Sequence, residues 1–449
     1  MDAHPEQRLE DQPQHYADHL SQVNATTEVV SIEDIYNDRG MLIARKGTRI
    51  NESLSKKIRQ HRLAKPLHSL VDINKGLTEQ SVMDEFHKLW ALFPDLKALL
   101  DGMEMEEDFE GMVLGVRLPR LILQNLTVLF HRKPHLFEQS LFVATLATLI
   151  VQALKRPPSE VRAAYLGGLV HDIGFLHIDP AILEKEDELT MAEWRAIQSH
   201  VIVSKLLVEE VGSAVPPLTN LAVIEHHERC DASGYPAFMS GARLHLLGQS
   251  IGISDGLYHL RTGLLDKLDL NLANAVPFLQ MNSGTHFYEN HKAVRILLTR
   301  ARLKPETCNP FGSIAAFGAG VAKRSRALAG VIDVLLEVQS LASRTELKRG
   351  YACLARTPSR ILRAVHASGV LGEAYLAWLE NSLNDSEAGV QDELLNVYLM
   401  QEELLAQLRD FVQILNRYVM DEPETGVFVQ VKDFSNKLQE HIAAVAEVY

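Results

Sequence analysis

The chain has 449 residues, 46% of them hydrophobic and 23% charged, with a formal net charge of -13. That balance fits a globular protein of two or three domains and excludes a collagen-like, low-complexity or largely disordered chain. An acidic surface repels nucleic-acid backbones and anionic lipid heads, so no DNA partner is expected, although a metal ion can invert the charge of one pocket.

Residues 1–24, rich in Gln, His, Asp and Glu, read as a disordered tail. From Thr26 the pattern changes to short alternating runs. VVSIEDIY, the turn Asp38-Arg39-Gly40 and MLIARKGTRI together predict a hairpin within a small α/β module over residues 25–75. Asn51 is a good N-cap for a helix that places Leu54 and Ile58 on one face. No chemistry is recognisable in this module, which reads as a structural or interaction domain. A helical connector over 76–124 is interrupted at Pro94, Gly111 and Pro119.

Helical spacing then continues through residues 125–305 and through a C-terminal region, 306–449, broken by the polar stretch around Glu422 to Gly426. Leu404, Leu408, Phe411, Leu415 and Tyr418 form a 4-3-4-3 seam suited to a partner helix. The seam fits an intramolecular core better than a homodimer interface. The predicted fold is therefore mainly α, with a small β-containing N-terminal module. Cys230, Cys308 and Cys353 form no CxxC pair, which suits a reducing cytoplasm. The N-terminus lacks a signal-peptide pattern, and no run reaches the roughly 20 apolar residues of a membrane span. A cytoplasmic location is expected.

The informative residues lie between Gln139 and Asp255. The apolar segment Leu166-Gly167-Gly168-Leu169-Val170 ends in His171-Asp172, and side chains of this kind are rarely buried without a partner. Downstream come His200, on a helix opened by a Thr190/Glu193 capping box, then Glu225-His226-His227-Glu228, then Asp255 within SIGISDGLYHL. Each residue alone has a bland structural explanation. Together, imidazoles and carboxylates suit Fe, Mn or Zn, and a shared Asp can bridge two metals about 3.5–4 Å apart.

Val170-His171-Asp172-Ile173-Gly174 resembles the HD signature of the HD phosphohydrolase superfamily. The run from His226 through His227, Glu228, Asp231 and Ala232 to Gly234-Tyr235-Pro236 resembles the HHExxDGxGYP signature of the HD-GYP subgroup. Leu189-Thr190, Glu193-Trp194 and His200 fall where that family has its "LT…EW…H" stretch, and the resemblance runs from near Gln139 to near Leu303. It implies an all-α HD-type domain and hydrolysis of cyclic di-GMP, or a related nucleotide, by a metal-bound water. The catalytic centre would be His171 and Asp172, with Asp172 bridging. His171, Asp172, His200, His226, His227 and Asp255 would hold two divalent ions, Fe or Mn. Gly234, Tyr235 and Pro236 would shape the substrate side and touch GGDEF-type or other signalling partners.

The sequence departs from that pattern in four places. Gln139 stands where the family has its first ligand histidine; a Gln amide oxygen is a poorer ligand than imidazole. His135, one helical turn earlier, falls where trinuclear members carry an extra Glu, and is the residue that would restore the first site or add a third ion. Phe175 replaces a lysine and leaves only packing or stacking toward substrate, with His177 as the nearby substitute cation. Ala232 replaces a glycine, a mild change unless the backbone needs positive φ, and the basic stretch after Asp255 is reduced to Arg261. The leading expectation is a metal-dependent cyclic dinucleotide phosphodiesterase. The alternatives are a degenerate module that binds cyclic di-GMP or a protein without hydrolysis, and a hydrolase of another phosphoester.

Overall fold

The computed structural model describes residues 15–185, 189–345, 351–372, 375, 377, 389–421 and 427–446. The polar break expected around Glu422 to Gly426, and the first fourteen residues of the expected tail, lie outside them. The described residues form two compact units. One draws on residues up to His227 together with His245–Asp255, the other on Glu228–Leu244 and residues from Gly256 onward.

The first unit opens with α1 (Tyr16–Val23), β1 (Val29–Ser31), β2 (Ile35–Tyr36), β3 (Leu42–Ala44), α2 (Glu52–Arg59), α3 (Leu67–Leu70) and β4 (Val71–Ile73). β2 and β3 form the expected hairpin, while β1 pairs antiparallel with β4. Asn51 caps α2 by accepting a hydrogen bond from the Leu54 amide at 2.9 Å, and Leu54 and Ile58 are both buried. The expected disordered tail is corrected at α1. Tyr16, Leu20 and Val23 form a helical stripe that is fully buried, so apolar spacing prevails over polar composition there.

Helices follow as α4 (Glu79–Leu92), α5 (Pro94–Gly102), α6 (Glu106–Gly115), α7 (Arg120–Arg132), α8 (Pro134–Ala153), α9 (Pro158–Val170), α10 (Pro180–Leu183), α11 (Met191–Gln198), α12 (His200–Glu210), α13 (Leu218–Glu225) and α14 (Leu246–Leu260), whose residues to Asp255 belong to the first unit. Pro94 starts α5 and Pro119 precedes α7, as turn chemistry predicts, but Gly111 lies inside α6.

Contrary to the sequence expectation, α8 has the length and apolarity of a membrane span. Its polar interruptions are masked because the Ser140, Thr145 and Thr148 hydroxyls return to carbonyls one turn back. Of that stretch, 78% is buried inside the fold, the pattern of a core helix. α8 packs tightly on α9 because Gly168 has no side chain: a Cβ there would lie 2.6 Å from the Ala144 Cα. Val143, Ala147, Ala163, Ala164, Ala222 and Ile251 complete this core.

The second unit contains α15 (Val276–Met281), α16 (Tyr288–Ala301), α17 (Ile314–Ala329), α18 (Val331–Ser343), α19 (Cys353–Ser368) and two further long helices, Val390–Asp421 and Phe428–Ala446. Leu404, Leu408, Phe411, Leu415 and Tyr418 are all buried in this unit's own core, so the seam is intramolecular, as its length suggested.

Candidate metal centre

Three histidines stand at helix ends. His171 is the C-cap of α9, His226 the C-cap of α13, and His200 the first residue of α12. The Thr190/Glu193 capping box forms as expected, but it opens α11, which stops at Ser199; His200 begins the next helix. Each imidazole Nδ1 lies against the carbonyl three residues earlier: His171 on Gly168 at 2.8 Å, His200 on Ile197 at 2.7 Å, His226 on Val223 at 2.6 Å. A carbonyl oxygen only accepts, so each Nδ1 carries the proton and donates it. The Nε2 atoms are thereby turned toward one carboxylate. They lie 3.3 Å (His171), 3.2 Å (His200) and 3.6 Å (His226) from Asp172.

Two oxygens divide this environment. Oδ1 of Asp172 faces His200 and His226, while Oδ2 faces His171 and receives a hydrogen bond from the Gln139 amide at 3.2 Å. The same Gln139 nitrogen donates to Oδ1 of Asp255 at 2.6 Å. Asp172, Asp255, His171, His200 and His226 are all buried. Burial disfavours charge on His171, but Asp172 and Asp255 outweigh it and hold the imidazolium up to about 9. Burial also disfavours charge on Asp172, and the facing imidazoles reverse this, holding the carboxyl well below its usual range. Burial lowers His226, which stays neutral near pH 7.

His171 meets Asp172 as an imidazolium donor, whereas His226, neutral with Nδ1 protonated, turns an Nε2 lone pair toward ionised Asp172, which presents only acceptors. A lone pair facing a buried carboxylate is repelled unless a cation lies between them. Among the described residues, ligand atoms of Asp172, His200, His226 and His227 all lie within 4.8 Å of one another. This N/O donor set fits a divalent transition metal, and the backbone bonds at Nδ1 are the orienting contacts that ligand histidines require.

Gly174 sets the approach of the HD turn to α12. A Cβ at Gly174 would lie 2.1 Å from the His200 carbonyl oxygen, and its amide donates to Ser204 Oγ at 2.8 Å. Ser204 was not singled out from sequence; its only signal is its position one turn after His200.

A family model for the HD domain matches residues 124–290. The chain is 38% identical over 124 residues to 3'3'-cGAMP-specific phosphodiesterase 1 of Vibrio cholerae, a match covering 26% of this chain and 27% of that protein. It is 29% identical over 119 residues to the cyclic di-GMP phosphodiesterase PA4108 of Pseudomonas aeruginosa, covering 26% and 28%. Residues 124–290 thus form an HD domain similar to those of HD-GYP phosphodiesterases. Among solved structures, Bd1817, a HDG"Y"P protein from Bdellovibrio bacteriovorus, aligns over 60% of this chain and 95% of that one with 14% identity and a TM-score of 0.33. The chain thus spans little more than a quarter of the length of these two curated relatives.

The departures from the HD-GYP pattern acquire physical form. Phe175 stacks on the His200 ring at 4.0 Å between centroids, so it steadies that ring and supplies no charge. His177 is not the substitute cation that the sequence suggested. It stacks on Tyr16 at 5.0 Å, and burial lowers it to about 3, leaving it neutral. His135 is exposed at the second residue of α8 and is not among the clustered ligand atoms.

Within the second unit, the HD-GYP signature loop is held by its own carboxylates. Glu228 accepts from the Ala237 and Met239 amides at 2.6 and 2.9 Å, and burial raises its pKa against their pull. Asp231 accepts from the Ser233 amide and hydroxyl and, at 2.8 Å, from Nε of Arg360 on α19. Ala232 has φ +60°, the left-handed region that the family's glycine would occupy without strain. Gly234, Tyr235 and Pro236 follow, with the Tyr235–Pro236 peptide cis.

Proposed function

We propose that the chain is a metal-dependent phosphodiesterase that opens a cyclic dinucleotide. The observation that carries this reading is the buried convergence of Nδ1-anchored imidazoles on Asp172, joined by His227. The relatives support a cyclic dinucleotide as substrate, because the matched proteins act on 3'3'-cGAMP and cyclic di-GMP by name. Cyclic di-GMP is the substrate first expected. A second reading, 3'3'-cGAMP, is favoured by the higher identity to the relative specific for it.

Asp172, His200, His226 and His227 would hold the metal, Fe or Mn, with His171 and Asp255 on the far side of the Asp172 carboxylate. Such an ion lowers the pKa of water and neutralises phosphoester charge. The chain's own contribution is positional. The α9, α12 and α13 ends fix three rings by backbone bonds, Phe175 steadies His200, and Gly174 admits the close approach of the HD turn. A cytoplasmic location suits a messenger nucleotide, and no disulfide links Cys230, Cys308 or Cys353.

Turnover of cyclic di-GMP and 3'3'-cGAMP by anaerobically prepared protein loaded with Fe(II) or Mn(II) tests the proposal, with Asp172→Ala alongside. Product from the parent and none from the variant supports it. No product from either nucleotide at confirmed metal occupancy refutes hydrolysis and favours a module that binds without turnover, the reading to which Gln139 already points.

A further inference from the structure

The geometry points to a single metal ion per chain, on the His200/His226/His227 side of Asp172, with the other side closed by the Gln139 amide. This inference rests on the metal-dependent reading above and narrows it from the two ions, or three with His135, expected from the sequence.

The His200 and His226 Nε2 atoms face Oδ1 of Asp172, and a ligand atom of His227 lies within 4.8 Å of ligand atoms of all three residues. This group alone offers four donors of the types that transition metals take. The Oδ2 side is built differently. His171 Nε2 lies 3.3 Å from Oδ2, and between Oδ2 and the second carboxylate, Asp255, sits the Gln139 side chain. A Gln amide nitrogen has two N–H donors and no lone pair to give a metal. Both donors have carboxylate acceptors here, at 3.2 Å toward Asp172 and 2.6 Å toward Asp255.

The orientation of the amide follows from its neighbours. Turned over, its oxygen would face two carboxylate oxygens, acceptor against acceptor, at the same short distances. An ion entering between Asp172 and Asp255 would have to displace both hydrogen bonds. It would then gain only an amide oxygen, a weak ligand for Fe or Mn beside imidazole. The side chain has little room to retreat, because Gln139 is buried and Ser140 to Val151 on α8 are buried behind it. His135, one turn earlier, is exposed. The amide thus does what a cation would otherwise do there: it holds two buried carboxylates together.

The test is stoichiometry. Full-length chain is saturated with Mn(II), freed of excess by gel filtration, and its metal is measured by mass spectrometry. Electron paramagnetic resonance of the same samples reports whether the Mn(II) ions are coupled. The parent is expected to hold one uncoupled ion, and Gln139→His to double the content and show a coupled pair. Asp255→Asn is expected to keep its one ion, and His227→Ala to lose at least half of it; circular dichroism confirms folding of each.

Two ions in the parent overturn the inference while leaving the metal-dependent reading intact. An ion lost in Asp255→Asn but kept in His227→Ala places it on the wrong side and also overturns it. One ion in both the parent and a folded Gln139→His removes Gln139 as the closing group. No ion at saturating Mn(II) in any folded form overturns the inference and the proposed function together.

Discussion

Replacing Arg360 by leucine would leave Asp231 as a buried carboxylate without its cation. The pair is enclosed, with side chains 7% and 6% exposed, and the same guanidinium donates to Gln407 at 2.9 Å. Breaking one partner of such a pair costs about 3–5 kcal/mol, because the remaining charge stays desolvated. With a urea slope of about 2 kcal/mol/M, the midpoint of a circular-dichroism titration should fall by about 2 M at pH 7.

The loss should depend on pH. Burial disfavours charge on Asp231 and Arg360 outweighs it, so the folded pKa lies below the unfolded value of about 3.9. The stability gained from ionised Asp231 is present above that unfolded value and is lost as pH falls through the folded one. Parent and variant midpoints should therefore converge in acid. The double variant Asp231→Leu/Arg360→Leu, which removes both charges, should recover more than half of the loss. A midpoint for Arg360→Leu within about 0.3 M of the parent at pH 7, where the slope above makes the shift under 1 kcal/mol, would refute the reasoning.

Three other outcomes follow from the same geometry. Ala232→Gly should stabilise by up to about 1 kcal/mol in urea, because left-handed backbone costs a side chain about 1–2 kcal/mol and glycine's entropy returns part of that; Ala232→Val should go the other way. Gly174→Ala should lower both stability, by about 1–3 kcal/mol or more, and metal content, because its Cβ meets the His200 carbonyl, which no side-chain rotation can move. His177 and His19 are lowered by burial to about 3 and about 4, so the unfolded chain binds more protons below about pH 6.5 and stability falls as pH drops. His177 alone accounts for about 2 kcal/mol at pH 5, and His177→Phe should flatten the thermal-melt slope between pH 7 and 5.

The helical body, the hairpin, the Asn51 cap and the Thr190/Glu193 box were legible because each depends on neighbours within a few residues. So was the grouping of Asp172, His200, His226 and His227, since a run of ligand-type side chains leaves its mark on the sequence. What stayed hidden depends on direction or distance. Sequence shows Gln139 to be an amide, but not that its nitrogen faces Asp172 and Asp255. It places His177 beside the HD motif, while the fold turns it onto Tyr16, a residue read as part of a disordered tail. Asp231 and Arg360 are 129 positions apart, and nothing local couples them.

The bonds from Nδ1 to the carbonyls of Gly168, Ile197 and Val223 involve no metal. Each ring is held by the backbone of its own turn, so the aim of each Nε2 follows from local helix geometry. A site prepared in this way does not use folding to choose among ions, and nitrogen and oxygen donors by themselves rank divalent metals only in the general order of their affinities. Metal identity would then be settled by which ion the surroundings supply when the chain is filled, and the metal recovered with the protein would be a record of where it was made.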